Sequence, residues 1–149
     1  MNQKSVYELV KEFKKKYPST VAWRLKRHCK IIDKHLNSDE QVLYVFAAQK
    51  NDNPFDIIST YVVVLTNKRL MLGRKRLVFG YFLDSITPEM FNDMNVIGAI
   101  IWGKIHIDTI KEYVTLSNIS KKALPEIETA ISSYMMKKKE ELAYRQRDN

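Results

Sequence analysis

Val64-Leu65-Thr66-Asn67-Lys68-Arg69-Leu70-Met71-Leu72 reads as two apolar runs meeting at a polar corner. β-branched and large aliphatic residues suit a pleated, half-buried surface. Asn67 tolerates positive φ better than other non-glycine residues, so Asn67-Lys68 makes a tight turn. The stretch is therefore a strand, a turn and a second strand. Working upstream, Ile57 to Thr66 is one strand, the cluster Asn51-Asp52-Asn53-Pro54 is a turn, and Gln41 to Ala48 is an earlier strand. Working downstream, Arg69 to Leu72 is the third strand and Gly73-Arg74-Lys75-Arg76 the next turn. Leu77 to Leu83 is the fourth strand, Ser85 to Glu89 is irregular around Pro88, and Phe91 to Ile97 is the fifth. Gly98 to Trp102 is a loop. Lys104 to Thr109 alternates with a period of two: Ile105 and Ile107 point inward, Lys104, His106 and Asp108 outward. Val114 and Leu116 continue that period in a seventh strand.

The flanks change period. Val6, Leu9, Val10, Phe13 and Tyr17 form one helical stripe, with Lys11, Lys14, Lys15 and Lys16 on the other side. Pro18 breaks it, and Ser19 or Thr20 is placed to cap a second helix with the stripe Val21, Leu25, Cys29, Ile32 and Leu36. At the other end, Ala123 to about Leu142 is helical through Leu124, Ile127, Ile131, Tyr134 and Met135, with Pro125 in the first turn. Seven short strands followed by one amphipathic helix predict a mainly β fold: a seven-stranded barrel or sandwich capped by a C-terminal α-helix. Residues 1–37 precede it as a helical hairpin, and residues 38–149 make the capped barrel.

The Thr-Asn-Lys-Arg corner between apolar strands resembles the strand–turn–strand signature of bacterial pleckstrin-homology (PH) domains. Ile105-His106-Ile107, then Leu116-Ser117-Asn118-Ile119 and a proline-containing amphipathic helix, look like the end of the same family. Lys34-His35-Leu36-Asn37-Ser38-Asp39-Glu40-Gln41-Val42-Leu43 is similar to the approach to the first strand in its YokE-like branch. The likeness runs from about Leu36 to Met136 and implies a PH-like barrel with a C-terminal helix. Family members that bind phosphoinositides use basic residues between the first two strands. Here Gln49 to Asp56 holds one lysine against two aspartates, which departs from that pattern.

The net charge of +8 is uneven. Residues 1–38 hold 10 basic and 3 acidic side chains, so most of the excess lies before the barrel. Such a segment suits an anionic partner or a solvated lysine-rich helix face. Hydrophobic residues make up 45%, enough for a packed core. Cys29 is the single cysteine, which excludes an internal disulfide and fits a reducing, cytoplasmic setting. No apolar run is long enough for a membrane span, and the opening residues lack a signal-peptide pattern.

Catalytic equipment is sparse. His28 and Cys29 are helix neighbours and do not face each other. Cys29 lies on an apolar stripe, as a structural thiol does. His28, Asp33 and His35 lack metal-ligand spacing, and His106 sits on a polar strand face. The four glycines are scattered rather than gathered into a phosphate loop. These features point away from an enzyme and from a cofactor or metal.

Binding is the remaining class. Ile97, Ile100, Ile101 and Trp102 make an apolar connection, a candidate surface for a protein partner or a second copy of the chain. The alternative for them is to fold under the N-terminal helices. Arg74, Lys75 and Arg76, with Lys68 and Arg69 at the far end of the third strand, are candidate contacts for anionic lipid or phosphate. The plain alternative there is a solvated turn. Arg27, Lys30 and Lys34 share a helix face near Tyr17 and Trp23, which would suit a nucleic-acid backbone. No recognised nucleic-acid motif frames them, so that partner is disfavoured.

Overall fold

The computed structural model describes residues 3–50 and 59–148. Strands form where apolar residues alternate or run unbroken: β1 (Val42–Gln49), β2 (Thr60–Thr66), β3 (Leu70–Lys75), β4 (Tyr81–Ile86), β5 (Phe91–Gly98), β6 (Trp102–Thr109) and β7 (Tyr113–Ser120). They build one curled antiparallel sheet in the order β4-β3-β2-β1-β7-β6-β5. The fold is thus a PH-like half-barrel. Helix α3 (Leu124–Arg147) follows β7 through a single 3-10 turn, and α1 (Val6–Lys16) and α2 (Leu25–His35) precede the sheet.

The inner face closes around α3. Leu124, Ile127, Ile131 and Met135 lie at helical spacing and meet Phe46, Val63, Leu65, Leu72, Ile105, Ile107 and Leu116 in one buried cluster. Pro125 lies in the first turn of α3, where its missing N–H is not needed.

A second buried cluster lies on the outer face. Val6 and Val10 of α1 and Cys29 and Ile32 of α2 cover Val45, Ala47, Val62, Val64 and Met71. β2 is therefore buried on both faces, which explains its unbroken run Tyr61-Val62-Val63-Val64-Leu65. Gly73 lets α2 come close: a Cβ there would stand 2.6 Å from Ile32 Cδ1. β6 alternates between buried and more exposed residues instead, so its outer face is open.

Helix α1 starts with a capping box between Ser5 and Glu8. Its C-terminal end belongs to the inner core. Among the described residues, β1 pairs with β7 only at Gln49–Ser117. Phe13 and Tyr17 join the inner cluster where β1 diverges, with Phe13 6.1 Å from the Phe46 ring. Lys16 Nζ and Tyr44 Oη each donate to Glu126 of α3, at 2.8 and 2.7 Å.

Two expectations need correction. The second helix begins at Leu25, not after Ser19 or Thr20. Thr20 is buried and its hydroxyl accepts from the Ser120 N–H at 2.9 Å. A link to β7 thus took the side chain expected to cap a helix. Arg24, at φ 57°, stands at the N-cap instead. Gly73, Arg74 and Lys75 belong to β3, and the turn lies over Arg76 to Gly80. Gly73 is a seat for α2; the glycine that turns the chain is Gly80, at φ 76°. The expected turn Asn51 to Pro54 and strand start at Ile57 lie outside the described residues.

Candidate functional site

Three surfaces bear on function: the Thr-Asn-Lys-Arg corner, the β3–β4 tip and the β5–β6 tip. At the corner, Arg69 is tied on every side. Its Nε and one terminal nitrogen donate to the two Glu40 oxygens at 2.9 and 3.0 Å. That same nitrogen donates to the His35 carbonyl at 2.8 Å, and the other to Ser85 Oγ at 3.0 Å. Thr66 Oγ1 donates to Glu40 at 2.6 Å. Burial alone would raise the Glu40 pKa, but the hydrogen bonds from Arg69 and Thr66 hold it at about 2. Asn67 exchanges two hydrogen bonds with the Gln41 backbone. The corner thus clamps α2, β1, β2, β3 and β4 together. Lys68 pairs with Asp39. The corner stands at the opposite end of β3 from Arg74, Lys75 and Arg76, so the five cations do not form one patch.

At that other end, the Arg76 N–H donates to the Gly80 carbonyl at 3.1 Å and closes the hairpin. Leu77, Val78 and Phe79 form its tip and face outward; Val78 and Phe79 are 75% and 80% exposed. The guanidinium groups of Arg74 and Arg76 lie 5.7 and 5.3 Å from the Phe82 ring centre. The Lys75 N–H donates to His28 Nδ1 at 2.8 Å. The Lys75 carbonyl accepts from Arg24 at 3.4 Å. Arg24 also lies over Trp23, which is 42% exposed. Trp23, Arg24, Lys26 and Arg27 then line an open groove of about 1100 Å³ that faces Lys11 and Lys15 of α1. The sequence reading placed the tip residues in a strand and so missed this apolar end. Gly80 was the available signal.

The β5–β6 hairpin carries the other apolar tip. Ile100 is 93% exposed, and Ile97, Ile101 and Trp102 are partly exposed. The residues thus do not fold under the N-terminal helices. The base of the tip is fixed: Ala99 N–H donates to the Trp102 carbonyl at 2.9 Å, Trp102 Nε1 to the Ser19 carbonyl at 2.6 Å, and Lys121 N–H to the Ile101 carbonyl at 2.9 Å. A hollow of about 630 Å³ beside Ile100 and Ile101 is rimmed by Lys16, Lys121 and Lys122.

The residues screened for chemistry have structural surroundings. Cys29 is buried, and burial together with Asp33 pushes its thiol up to about 12, far from a reactive thiolate. His28 is buried; burial and Arg24 push it down to about 4. Its Nε2 has no hydrogen-bond partner among the described residues. His35 contacts the Ile31 carbonyl and Tyr81 Oη, at 2.7 and 3.2 Å. His106 contacts Thr115 Oγ1 at 3.1 Å and stacks on Tyr113. Tyr17 is buried, so it cannot stack on a base. Lys50 pairs with Asp84 at 2.8 Å, and residues 51–58 lie outside the described residues. No group of three or more His, Cys, Asp or Glu side chains among the described residues could hold a metal. No helix among them is long and apolar enough to cross a membrane.

Comparison with known proteins agrees with the architecture. No curated protein sequence matches the chain. A DUF1696 family protein with a pleckstrin-homology domain from Shewanella loihica PV-4 superposes with a TM-score of 0.51 at 16% identity, covering 78% of this chain and 97% of that one. A pleckstrin homology domain from Shewanella amazonensis SB2B gives 0.48 at 18% identity, covering 76% and 89%. The family model described as Bacterial PH domain matches residues 36–133. That span runs from the end of α2 through all seven strands into α3, and the chain therefore belongs to the bacterial PH domain family.

Proposed function

We propose that the chain is a non-catalytic docking module acting through protein contacts, with the β5–β6 tip as its contact surface. One observation carries this reading: Ile100 stands 93% exposed on a hairpin whose base is held by hydrogen bonds. Apolar side chains that stay outside on a fixed support mark contact surfaces. A second copy of the chain is the first partner to test. Light scattering across a concentration series should show mass rising with concentration, and Ile100→Lys or Ile101→Lys should hold the protein monomeric without unfolding it. A strict monomer at high concentration counts against self-association. The lone buried Cys29 supports a cytoplasmic setting, and the Lys34–Leu43 segment supports a place in the YokE-like branch.

A second reading has its own support. Arg74, Lys75 and Arg76 gather at one hairpin end and suit anionic headgroups or phosphate. Lys68 and Arg69 fall out of that reading, because Asp39 and Glu40 already hold them. Salt-sensitive sedimentation with anionic vesicles tests it.

A further inference from the structure

Hairpin tips in water usually carry Gly, Asn, Asp or Ser. This one carries Leu77, Val78 and Phe79 in a row, directly after Arg74-Lys75-Arg76. All three are at least half exposed. Tyr81 and Phe82 on the returning strand are also partly exposed. Behind them, Arg74 and Arg76 hold their charges against the Phe82 ring. The Arg24–Lys75 hydrogen bond brings Trp23 and the start of α2 to the base of the hairpin. Lys26 and Arg27 follow on α2.

Moving down from the tip, the aliphatic residues and Phe come first, then a level where cations and aromatic rings alternate: Arg76 beside Gly80, Lys75 opposite Tyr81 and Arg74 opposite Phe82. A bilayer presents acyl chains first and then an interface where aromatic rings and cations meet anionic phosphates. We propose that the β3–β4 hairpin is a wedge that inserts Leu77, Val78 and Phe79 into the acyl boundary of an anionic bilayer. Trp23 lies at the interface, and Arg24, Arg74, Lys75 and Arg76 sit among the headgroups. The proposal rests on the anionic-headgroup reading of the same cations and adds insertion to it.

Charge argues against the other occupants. A second copy would bring the same basic collar, so pairing tip to tip would oppose like charges. Docking the tip in the α1–α2 groove of another copy would set it against a lining in which Lys11, Lys14, Lys15, Arg24, Lys26 and Arg27 outnumber Glu8 and Glu12. The cations form an open collar on two elements, not a closed pocket around one headgroup. The wedge should therefore respond to surface charge density and not to headgroup identity. Phosphatidylglycerol and phosphatidylserine should serve equally at matched charge, and inorganic phosphate should compete poorly.

The test uses the full chain with vesicles of phosphatidylcholine alone, or mixed with phosphatidylglycerol or phosphatidylserine. Sedimentation at low and high salt measures binding. A Val78→Trp variant, read against the parent's Trp23 and Trp102 signal, reports depth through quenching by lipids brominated along the acyl chain. The expected result is salt-sensitive binding to both anionic mixtures, acyl-chain quenching of the new tryptophan, and binding weaker by about tenfold or more in Phe79→Ser. Lys75→Gln with Arg76→Gln should lower the salt sensitivity. These residues lie at or beside the exposed end of the hairpin, and circular dichroism checks that each variant folds. Salt-sensitive binding without quenching, and with Phe79→Ser unchanged, overturns insertion and leaves the headgroup reading standing. Absence of binding to either anionic mixture overturns both. Equal binding to phosphatidylcholine alone overturns the need for negative charge.

Discussion

One sheet carries two different outer faces. Over β1–β3, α1 and α2 bury Val45, Ala47, Val62, Val64 and Met71. Over β5, β6 and the start of β7 the outer face is more open, and Lys104, His106 and Asp108 point away from the core, while the far end of β7 is buried where Thr20 and Val21 bond to it. Both halves share the same inner cluster against α3. The strand sequences record the difference. β2 is apolar at Tyr61, Val62, Val63, Val64 and Leu65, while β6 alternates Lys104, Ile105, His106, Ile107, Asp108. In β2 the apolar residues on the outer side thus report the helices that lie over them.

The contrast is broken most severely at Arg69, which ties α2 to the covered half. Arg69→Ala leaves the buried Glu40 carboxylate without its cation and should destabilise the protein by about 3–5 kcal/mol. Urea unfolding at neutral pH measures this. A loss near zero would mean that the covering helices do not depend on the clamp.

A smaller effect separates two histidines, His28 of α2, buried against the covered half, and His106 on the open face. The folded pKa of His28 lies near 4, against 6.5 when unfolded. Between those values the unfolded chain takes up a proton that the folded chain refuses. Stability should therefore fall as pH drops from about 6.5 towards 4, by about 1–3 kcal/mol. His28→Gln should flatten that part of the curve in urea titrations at several pH values. Glu40 contributes separately: its folded pKa is depressed, so its share is present above 4.5 and lost as pH falls towards 2. An unchanged slope in His28→Gln would mean that the covered half is more open than described.

The smallest effect is expected on the bare half. His106→Ala removes a surface ring that touches Thr115 and Tyr113. It should shift the thermal midpoint by no more than about 0.5 kcal/mol is worth. A large loss would reveal cover over β6 and erase the contrast between the halves.

Much of the fold was legible because period-two alternation and helical stripes survive without long-range information. Ile105, Ile107, Val114 and Leu116 all point inward as their spacing predicts. What escaped depended on partners distant in sequence. Thr20 has the chemistry of a helix cap, but Ser120, a hundred residues on, claims its hydroxyl. Gly73 looks like a turn residue beside a basic cluster, yet α2 needs its missing side chain. That error moved the turn and hid the exposed Leu77-Val78-Phe79 tip. Arg69 looks like a surface cation until Glu40, 29 residues earlier, is placed beside it. Ile97, Ile100, Ile101 and Trp102 were legible as an apolar run, but their exposure depends on where the N-terminal helices settle.

The two clusters also differ in when a growing chain can complete them. The outer one has its buried members between Val6 and Met71, with Leu83 packed against them. The inner one runs from Phe13 to Met135. During synthesis the N-terminal part emerges first. The outer layer can close while nearly half the protein is still unmade. Until α3 arrives, Phe46, Val63, Leu65, Leu70 and Leu72 face water on the other side of the same strands. A nascent chain that closes the outer layer first would leave the future interior as a bare apolar strip until Leu124, Ile127, Ile131 and Met135 arrive.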